Sequence, residues 1–181
     1  MFKCIIESDI ELKLFGIEHA DELFNQIDSN RLYLRKWLPW VDTHSNVEET
    51  KEFIKSSRQQ FVSNTGMQAG IWYKNELGGI ISFHNMNWTN KNTSMGYWLV
   101  EKYQGRGIIT KVCKTLINYA FGDLGLNRVE IKCAETNQKS RAIPERLGFK
   151  QEGIIREAEW LNDHYVNHVI YSMLSKEWLQ K

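Results

Sequence analysis

Apolar and polar positions alternate over residues 3–15, where Ile10, Leu12 and Leu14 are separated by polar partners, the period-2 pattern of an extended edge segment. The period then lengthens. Ala20, Leu23, Phe24 and Ile27 share one helical face between about Glu18 and Asn30, and Phe53, Ile54, Phe61 and Val62 do so between about Val47 and Val62. Residues 66–100 read as three antiparallel strands near 67–73, 77–84 and 93–100, with Asn75 in the first tight turn and the polar stretch Asn87 to Asn92 in the second. Ile108, Val112, Leu116, Tyr119 and Ala120 restore helical spacing. A strand near 128–133, a short helix after Ser140 and strands near 150–158 and 165–174 complete the chain. The pattern predicts an α+β architecture with a mixed sheet. Without repeats, low-complexity stretches or linkers, it reads as one domain over 1–181.

Composition narrows the function. A chain of 181 residues buries one good core, and 23 basic against 22 acidic side chains, with no long block of either sign, give no reason to expect nucleic-acid binding. Cys4, Cys113 and Cys133 are odd in number and lack Cys-x-x-Cys spacing, so neither a disulfide framework nor a zinc site is indicated and a reducing cytoplasm fits. Glu7 and Asp9 follow so soon after the start that no apolar leader is expected, nor does any run approach the roughly 18 residues a membrane span needs. Of the five histidines, only His164 and His168 are close; four residues apart, they share a face of what reads as an edge strand, a poor metal site.

The strand-like Met95–Val100 run enters the helix at Ile108 through Gln104-Gly105-Arg106-Gly107-Ile108-Ile109-Thr110. Glycines let backbone N–H groups approach a ligand, and the unsatisfied amides at a helix start favour a polyanion. Arg106 adds a charge. The bland alternative is a turn that uses glycine for conformation alone. A nucleotide P-loop is excluded, because the loop lacks the Gly-Lys-Ser/Thr ending.

Some thirty residues on, Asn137-Gln138-Lys139-Ser140-Arg141-Ala142-Ile143-Pro144-Glu145-Arg146-Leu147-Gly148-Phe149 follows another strand-like run. The two blocks together resemble the GNAT N-acetyltransferase superfamily, whose acyl-CoA signature reads Gln/Arg-x-x-Gly-x-Gly/Ala, then Asn-x-x-Ser-x-x-x-x-Glu-x-x-Gly-Phe. Gln104, Gly107, Asn137, Ser140, Glu145, Gly148 and Phe149 match it. Two positions depart: Ile109 stands where Gly or Ala is usual, and Pro144 falls early in the second motif's helix, expected to start near Lys139 to Arg141 and so to hold the proline in or just after its first turn. The blocks at 31–40 and 171–178 further resemble the ribosomal-protein N-terminal acetyltransferases of the RimJ/RimL type.

The resemblance implies a central mixed, mostly antiparallel sheet with flanking helices, in which two parallel strands ending near Val100 and Cys133 splay to admit acetyl-CoA. It implies pantetheine and thioester contacts from the backbone at Leu99 and Val100, a cradle of Gln104, Gly105, Arg106, Gly107, Ile108 and Ile109, and an orienting role for Asn137, unless that residue only caps the helix. Glu159, in a Glu-aromatic-Leu-Asn segment, is implied as the base, its pKa raised by partial burial against Trp160. Ser140 is implied near the CoA sulfur, with a helix cap as its plainer role, and Tyr171 is either a second acid or core. Arg31, Arg35, Trp37 and Trp40 are implied on the acceptor side, unless they serve the surface or a dimer contact. The expected reaction is acetyl transfer from acetyl-CoA, without metal, nucleic acid or membrane, to the α-amine of a protein, ribosomal by resemblance, by a cytoplasmic homodimer or higher oligomer. An α-amine near pKa 7.7 to 8.0 is already roughly a tenth neutral at pH 7, unlike a free lysine, so a carboxylate base suffices for it. A small-amine acceptor (polyamine or aminoglycoside) and a silent acyl-CoA-binding module are the alternatives.

Overall fold

Ser8 and Asp9 turn the chain, so residues 3–15 form a hairpin, β1 (Lys3–Glu7) and β2 (Ile10–Leu14), rather than one edge segment. In the computed structural model, which describes residues 3–180, β1 alone of these two lies at an edge of the sheet; β2 buries Ile10 and Leu12 beside the next strand. Helix α1 (Ala20–Ser29) buries Ala20, Leu23 and Ile27, and a short α2 (Arg31–Leu34), not foreseen, follows directly. Asn46 starts α3 (Val47–Val62) by accepting the Glu49 N–H at 3.0 Å. A meander of β3 (Met67–Tyr73), β4 (Glu76–Asn87) and β5 (Asn92–Leu99) comes next. Lys74 and Asn75, at φ 53° and 66°, make its first two-residue turn, a left-handed pair that matches strand twist. Then come α4 (Ile108–Gly122), β6 (Arg128–Ala134), α5 (Gln138–Arg146), β7 (Lys150–Leu161), β8 (His164–Leu174) and α6 (Ser175–Trp178).

The strands form one eight-stranded sheet in the order β1-β2-β3-β4-β5-β6-β8-β7, antiparallel except where β5 meets β6. That order makes β7 the edge and puts β8 inside, correcting the expectation that His164 and His168 lie on an edge strand. The sheet is covered on both faces. Ile71 and Ile81 pack with the buried stripe of α4, from Val112 and Leu116 to Ala120, while their neighbours Trp72 and Ile80 face Leu23 and Ile27 of α1 and Ile54 of α3. No helix among the described residues is long and apolar enough to cross a membrane.

What positions the site is where β5 and β6 part. Their parallel pairing covers Asn92↔Arg128 to Met95↔Ile131 and stops. Beyond it β5 stays with β4 as far as Leu99, and β6 stays with β8 as far as Ala134, leaving two facing edges that no longer meet.

Candidate active site

Gly107 is the N-cap of α4, and it and Gly105 adopt φ of 74° and 73°, where an L side chain is strained. A Cβ on Gly105 would meet nothing within 4 Å, so conformation rather than space demands glycine there. The first intrahelical bond runs from Lys111 N–H to Gly107 O at 3.1 Å. The amides of Ile108, Ile109 and Thr110 therefore have no acceptor inside the helix. Ile109 lines the cleft beside them and packs partly on the core. Arg106 lies exposed, its guanidinium 5.8 Å from the Tyr73 ring centroid. Gln104 links two walls: its Oε1 accepts from Lys139 Nζ at 3.0 Å and its Nε2 donates to the Tyr33 hydroxyl.

Along β5 the backbone alternates between β4 and the wedge. Val100 N–H donates to Gly78 O at 2.8 Å, which by the alternation of an antiparallel ladder assigns Trp98 and Gly96 to β4 and turns the N–H and C=O of Tyr97 and Leu99 into the wedge. This corrects the expectation for Val100. It is fully buried, its carbonyl accepts from Tyr103 N–H, and it does not line the cleft; the free backbone belongs to Leu99 and Tyr97. Gly79 allows β4 to come this close, since a Cβ there would stand 2.1 Å from the Trp98 carbonyl oxygen.

Asn137 caps α5, accepting the Ser140 N–H on Oδ1 at 3.1 Å. Helix α5 starts at Gln138, so Pro144 sits in its second turn, not in or just after its first as expected. A proline there cannot bond the carbonyl four residues back, which is that of Ser140. Tyr97 compensates: its hydroxyl donates to Ser140 O at 2.9 Å from across the wedge. The Ser140 hydroxyl donates to Cys133 Sγ at 3.2 Å. Burial pushes the Cys133 thiol up, the hydrogen bond from Ser140 opposing it, and burial pushes Tyr97 well above its usual range. Tyr171 is core: 1% exposed, it accepts from Arg141 Nε at 2.9 Å and donates to Glu145 at 2.7 Å, away from the cleft.

Glu159 owes its place to an irregularity in β7. Ile155 pairs with His168 and Glu159 with Val166, so residues 156–158 oppose Asn167 alone, and Glu157 takes φ 48°. Asn167 holds the bulge, its Oδ1 accepting Glu157 N–H at 2.9 Å and its Nδ2 donating to Glu135 at 2.8 Å. The Glu159 side chain is 33% exposed, and its Oε2 lies 3.2 Å from His168 Nε2. Trp160 does not bury it. That ring projects to the other face, 53% exposed, in an edge-to-face contact with Tyr165 at 4.9 Å.

These groups line one cleft of about 920 Å³, within the range of small-molecule sites. It unites Leu99, Gln104 to Ile109, Asn137, Ser140 and Glu159 with Trp37 and its neighbours Tyr33, Leu34 and Leu38. Arg31, Arg35 and Trp40 do not line it. Arg31 is spent on Asp28 at 3.0 Å and on the carbonyls of Val41 and His44; Arg35 pairs with Asp42 at 2.8 Å; Trp40 packs edge-on against His44 at 5.9 Å. They pin the segment that carries Trp37. Asn162, in the β7–β8 turn, donates to Arg35 O at 3.1 Å and fixes the hairpin tip against it. From the sequence His168 stands out only as a poor metal ligand; its place beside Glu159 emerges in the structure. The Asn162-Asp163 turn was the available signal: a tight turn there brings both residues to one face. Among the described residues no group of three or more His, Cys, Asp or Glu could hold a metal ion.

A family model described as an acetyltransferase (GNAT) domain matches residues 9–150. The YdaF protein of Bacillus subtilis (strain 168), named provisionally as a ribosomal N-acetyltransferase, is 39% identical over 179 residues, covering 98% of each chain. Among solved structures, the ribosomal-protein α-N-acetyltransferase RimL in complex with coenzyme A superposes with a TM-score of 0.92 at 27% identity, covering 96% of this chain and 98% of that one. The microcin self-immunity acetyltransferase MccE, in complex with acetyl-CoA and AMP, gives 0.89 at 32% identity over 93% and 94%.

Proposed function

The chain belongs to the GNAT acetyltransferase family, and from that premise we propose that it acetylates the N-terminal α-amino group of a protein, a ribosomal one, acting as a single domain. It is an acetyl-CoA-dependent N-acetyltransferase; the acceptor is the proposal. One observation carries it. The described residues of the cleft wall include the cations Arg106, Lys111, Lys132, Lys139 and Arg146 but a single carboxylate, Glu159. Such a wall suits the phosphates of acetyl-CoA and repels a polyamine, whose several ammonium groups need several carboxylates. One carboxylate suffices for one amine. The names of RimL and YdaF, both tied to ribosomal proteins, support the same acceptor class.

In this reading the amides at the start of α4, with Arg106, hold the donor's phosphates, and Asn137 and the backbone of Tyr97 and Leu99 hold its pantetheine arm. One of those N–H groups polarises the thioester carbonyl, a contact whose loss typically costs about 3 to 4 kcal/mol in the barrier. The neutral amine attacks that carbonyl carbon; its C–N bond forms as the C–S bond breaks. Glu159 takes the amine's proton. Ser140 Oγ–H, which rests on Cys133, turns to the departing thiolate and gives it a hydrogen bond worth about 1.5 to 3 kcal/mol. Trp37 and Tyr33 flank the acceptor's first residues.

The test is direct: incubate the protein with isotopically labelled acetyl-CoA, a panel of ribosomal proteins and a panel of small amines, then locate the label by mass spectrometry. Label on the α-amine of a ribosomal protein is expected. Faster labelling of spermidine or an aminoglycoside than of any protein N-terminus would overturn the acceptor assignment.

A further inference from the structure

We infer that His168 is a positioning residue for the proposed base, one that fixes the Glu159 carboxylate with one oxygen turned toward the acceptor amine; the inference rests on the reading of Glu159 as that base. The two groups come from different strands, and their contact is a built one. Asn167, between Val166 and His168 on β8, stitches the β7 bulge through Glu157 N–H and is itself tied to Glu135. The irregularity that re-aims β7 is thus held by the residue next to His168. On the cleft face, His168 Nε2 then reaches Glu159 Oε2 at 3.2 Å.

Hydrogen-bond chemistry fixes the direction of this contact. An ionised carboxylate only accepts, so Nε2 must carry the proton and donate, whether the ring is neutral or an imidazolium. Oε2 is thereby engaged and Oε1 remains for the amine. The bond matters because Glu159 has little else to hold it. Its side chain is about a third exposed, its chain neighbour Trp160 faces the opposite way, and a free glutamate rotates about three bonds. His168 is the better buried of the two, at 19%, and its backbone lies inside the sheet between β6 and β7, so the donor is the fixed partner. Proton abstraction needs the base within hydrogen-bond reach of the amine, so a carboxylate spread over several rotamers is poised for only part of the time.

The proposal separates His168 from a residue that merely fills space, and from one that titrates on its own account. Turnover and both Michaelis constants are measured for His168→Ala, His168→Leu, His168→Gln, Glu159→Gln and Glu159→Gln/His168→Ala, each checked by thermal melting. His168→Ala and His168→Leu should each lower kcat roughly 10- to 10²-fold, the loss of one hydrogen bond to a charged group, with the KM for acetyl-CoA unchanged. The leucine keeps apolar volume but no donor, so agreement between the two excludes a packing effect. His168→Gln, whose amide can still donate, should stay within about threefold of wild type. In the Glu159→Gln background His168→Ala should cost almost nothing further, because a positioning residue has nothing left to position. Full activity in both His168→Ala and His168→Leu, equal losses in His168→Gln and His168→Leu, or an undiminished loss in the Glu159→Gln background would each overturn the inference. Full activity in Glu159→Gln alone would instead remove the base assignment beneath it.

Discussion

Where the glycine loop enters α4 the cleft is faced by main-chain amides, set by Gly105, Gly107 and the first turn of the helix; around Glu159 it is faced by side chains, Glu159, His168 and Trp37, set by contacts between distant segments, and in the proposed function these are its donor and acceptor ends. Main-chain donors ask little of their neighbours: a local conformation suffices, and most side chains nearby could change without moving them. Side-chain groups depend on everything that aims them. A bulge, a capped helix and a loop pinned by Arg31 must all agree before Glu159 and Trp37 share one space. The donor end therefore suits a part common to many enzymes, and the acceptor end is where one enzyme differs from another.

The sharpest way to break this contrast is to separate the two ends kinetically. Glu159→Gln is expected to lower turnover by roughly 10² to 10⁴ while the Kd for acetyl-CoA, read by calorimetry, stays within about twofold. A weakened Kd would mean the ends are not independent. Gly107→Ala should do the opposite, since a Cβ at φ 74° costs on the order of 1 to 3 kcal/mol. The strain should appear as a Kd for acetyl-CoA about tenfold weaker and a lower melting temperature, with turnover at saturating donor falling least.

Arg31→Ala tests how indirectly the acceptor end is held. Arg31 is not among the described residues of the cleft wall, yet its guanidinium binds two carbonyls and Asp28, so about 1 to 2 kcal/mol of stability should be lost in chemical denaturation. The acceptor KM should rise and the acetyl-CoA Kd should not. A variant with normal stability but no acceptor binding would restore Arg31 as a direct contact.

The smallest effect is a control that belongs to neither end. Glu152 is held down to about 2, chiefly by its hydrogen bond from Arg128 and then by that from Ser172. A carboxylate depressed on folding adds stability that is complete above its unfolded value near 4.3 and is lost as pH falls toward about 2. Because Arg128 and Glu152 remain 22% and 43% exposed, screening keeps the contribution below about 1 kcal/mol. Melting temperatures of wild type and Glu152→Gln should differ slightly at pH 7 and converge below about pH 4, with kcat and Kd untouched. A gap that widened on acidification would reverse the sign.

The same contrast explains what could be read from the sequence. Local devices were legible: the periodicity of α1, α3 and α4, the turn at Asn75 and the glycines before α4 each depend on a few adjacent residues. Fates decided by remote partners were not. Arg31, Arg35 and Trp40 have the chemistry of a binding site, but Asp28, Asp42, His44 and two carbonyls take it up. Val100 was one residue off because which amides of β5 face the wedge depends on its register with β4. Whether β7 or β8 is the edge is a property of the whole sheet, whereas the placing of His168 on the face of Glu159 follows from the turn at Asn162-Asp163 and only its contact distance from the β7 bulge. The β1–β2 hairpin is the exception, a local turn at Ser8-Asp9 hidden by a continuous apolar alternation on either side.

In α5, Pro144 acts as punctuation. Every other interior carbonyl of a helix is spoken for by the residue four places on, but the ring leaves the oxygen of Ser140 open, and it is this one that the Tyr97 hydroxyl finds. Slide α5 a turn in either direction and Tyr97 would meet a carbonyl already engaged. The missing N–H thus works as an address, readable from β5, that tells the helix at what depth to dock and so at what height in the wedge the Ser140 hydroxyl must lie.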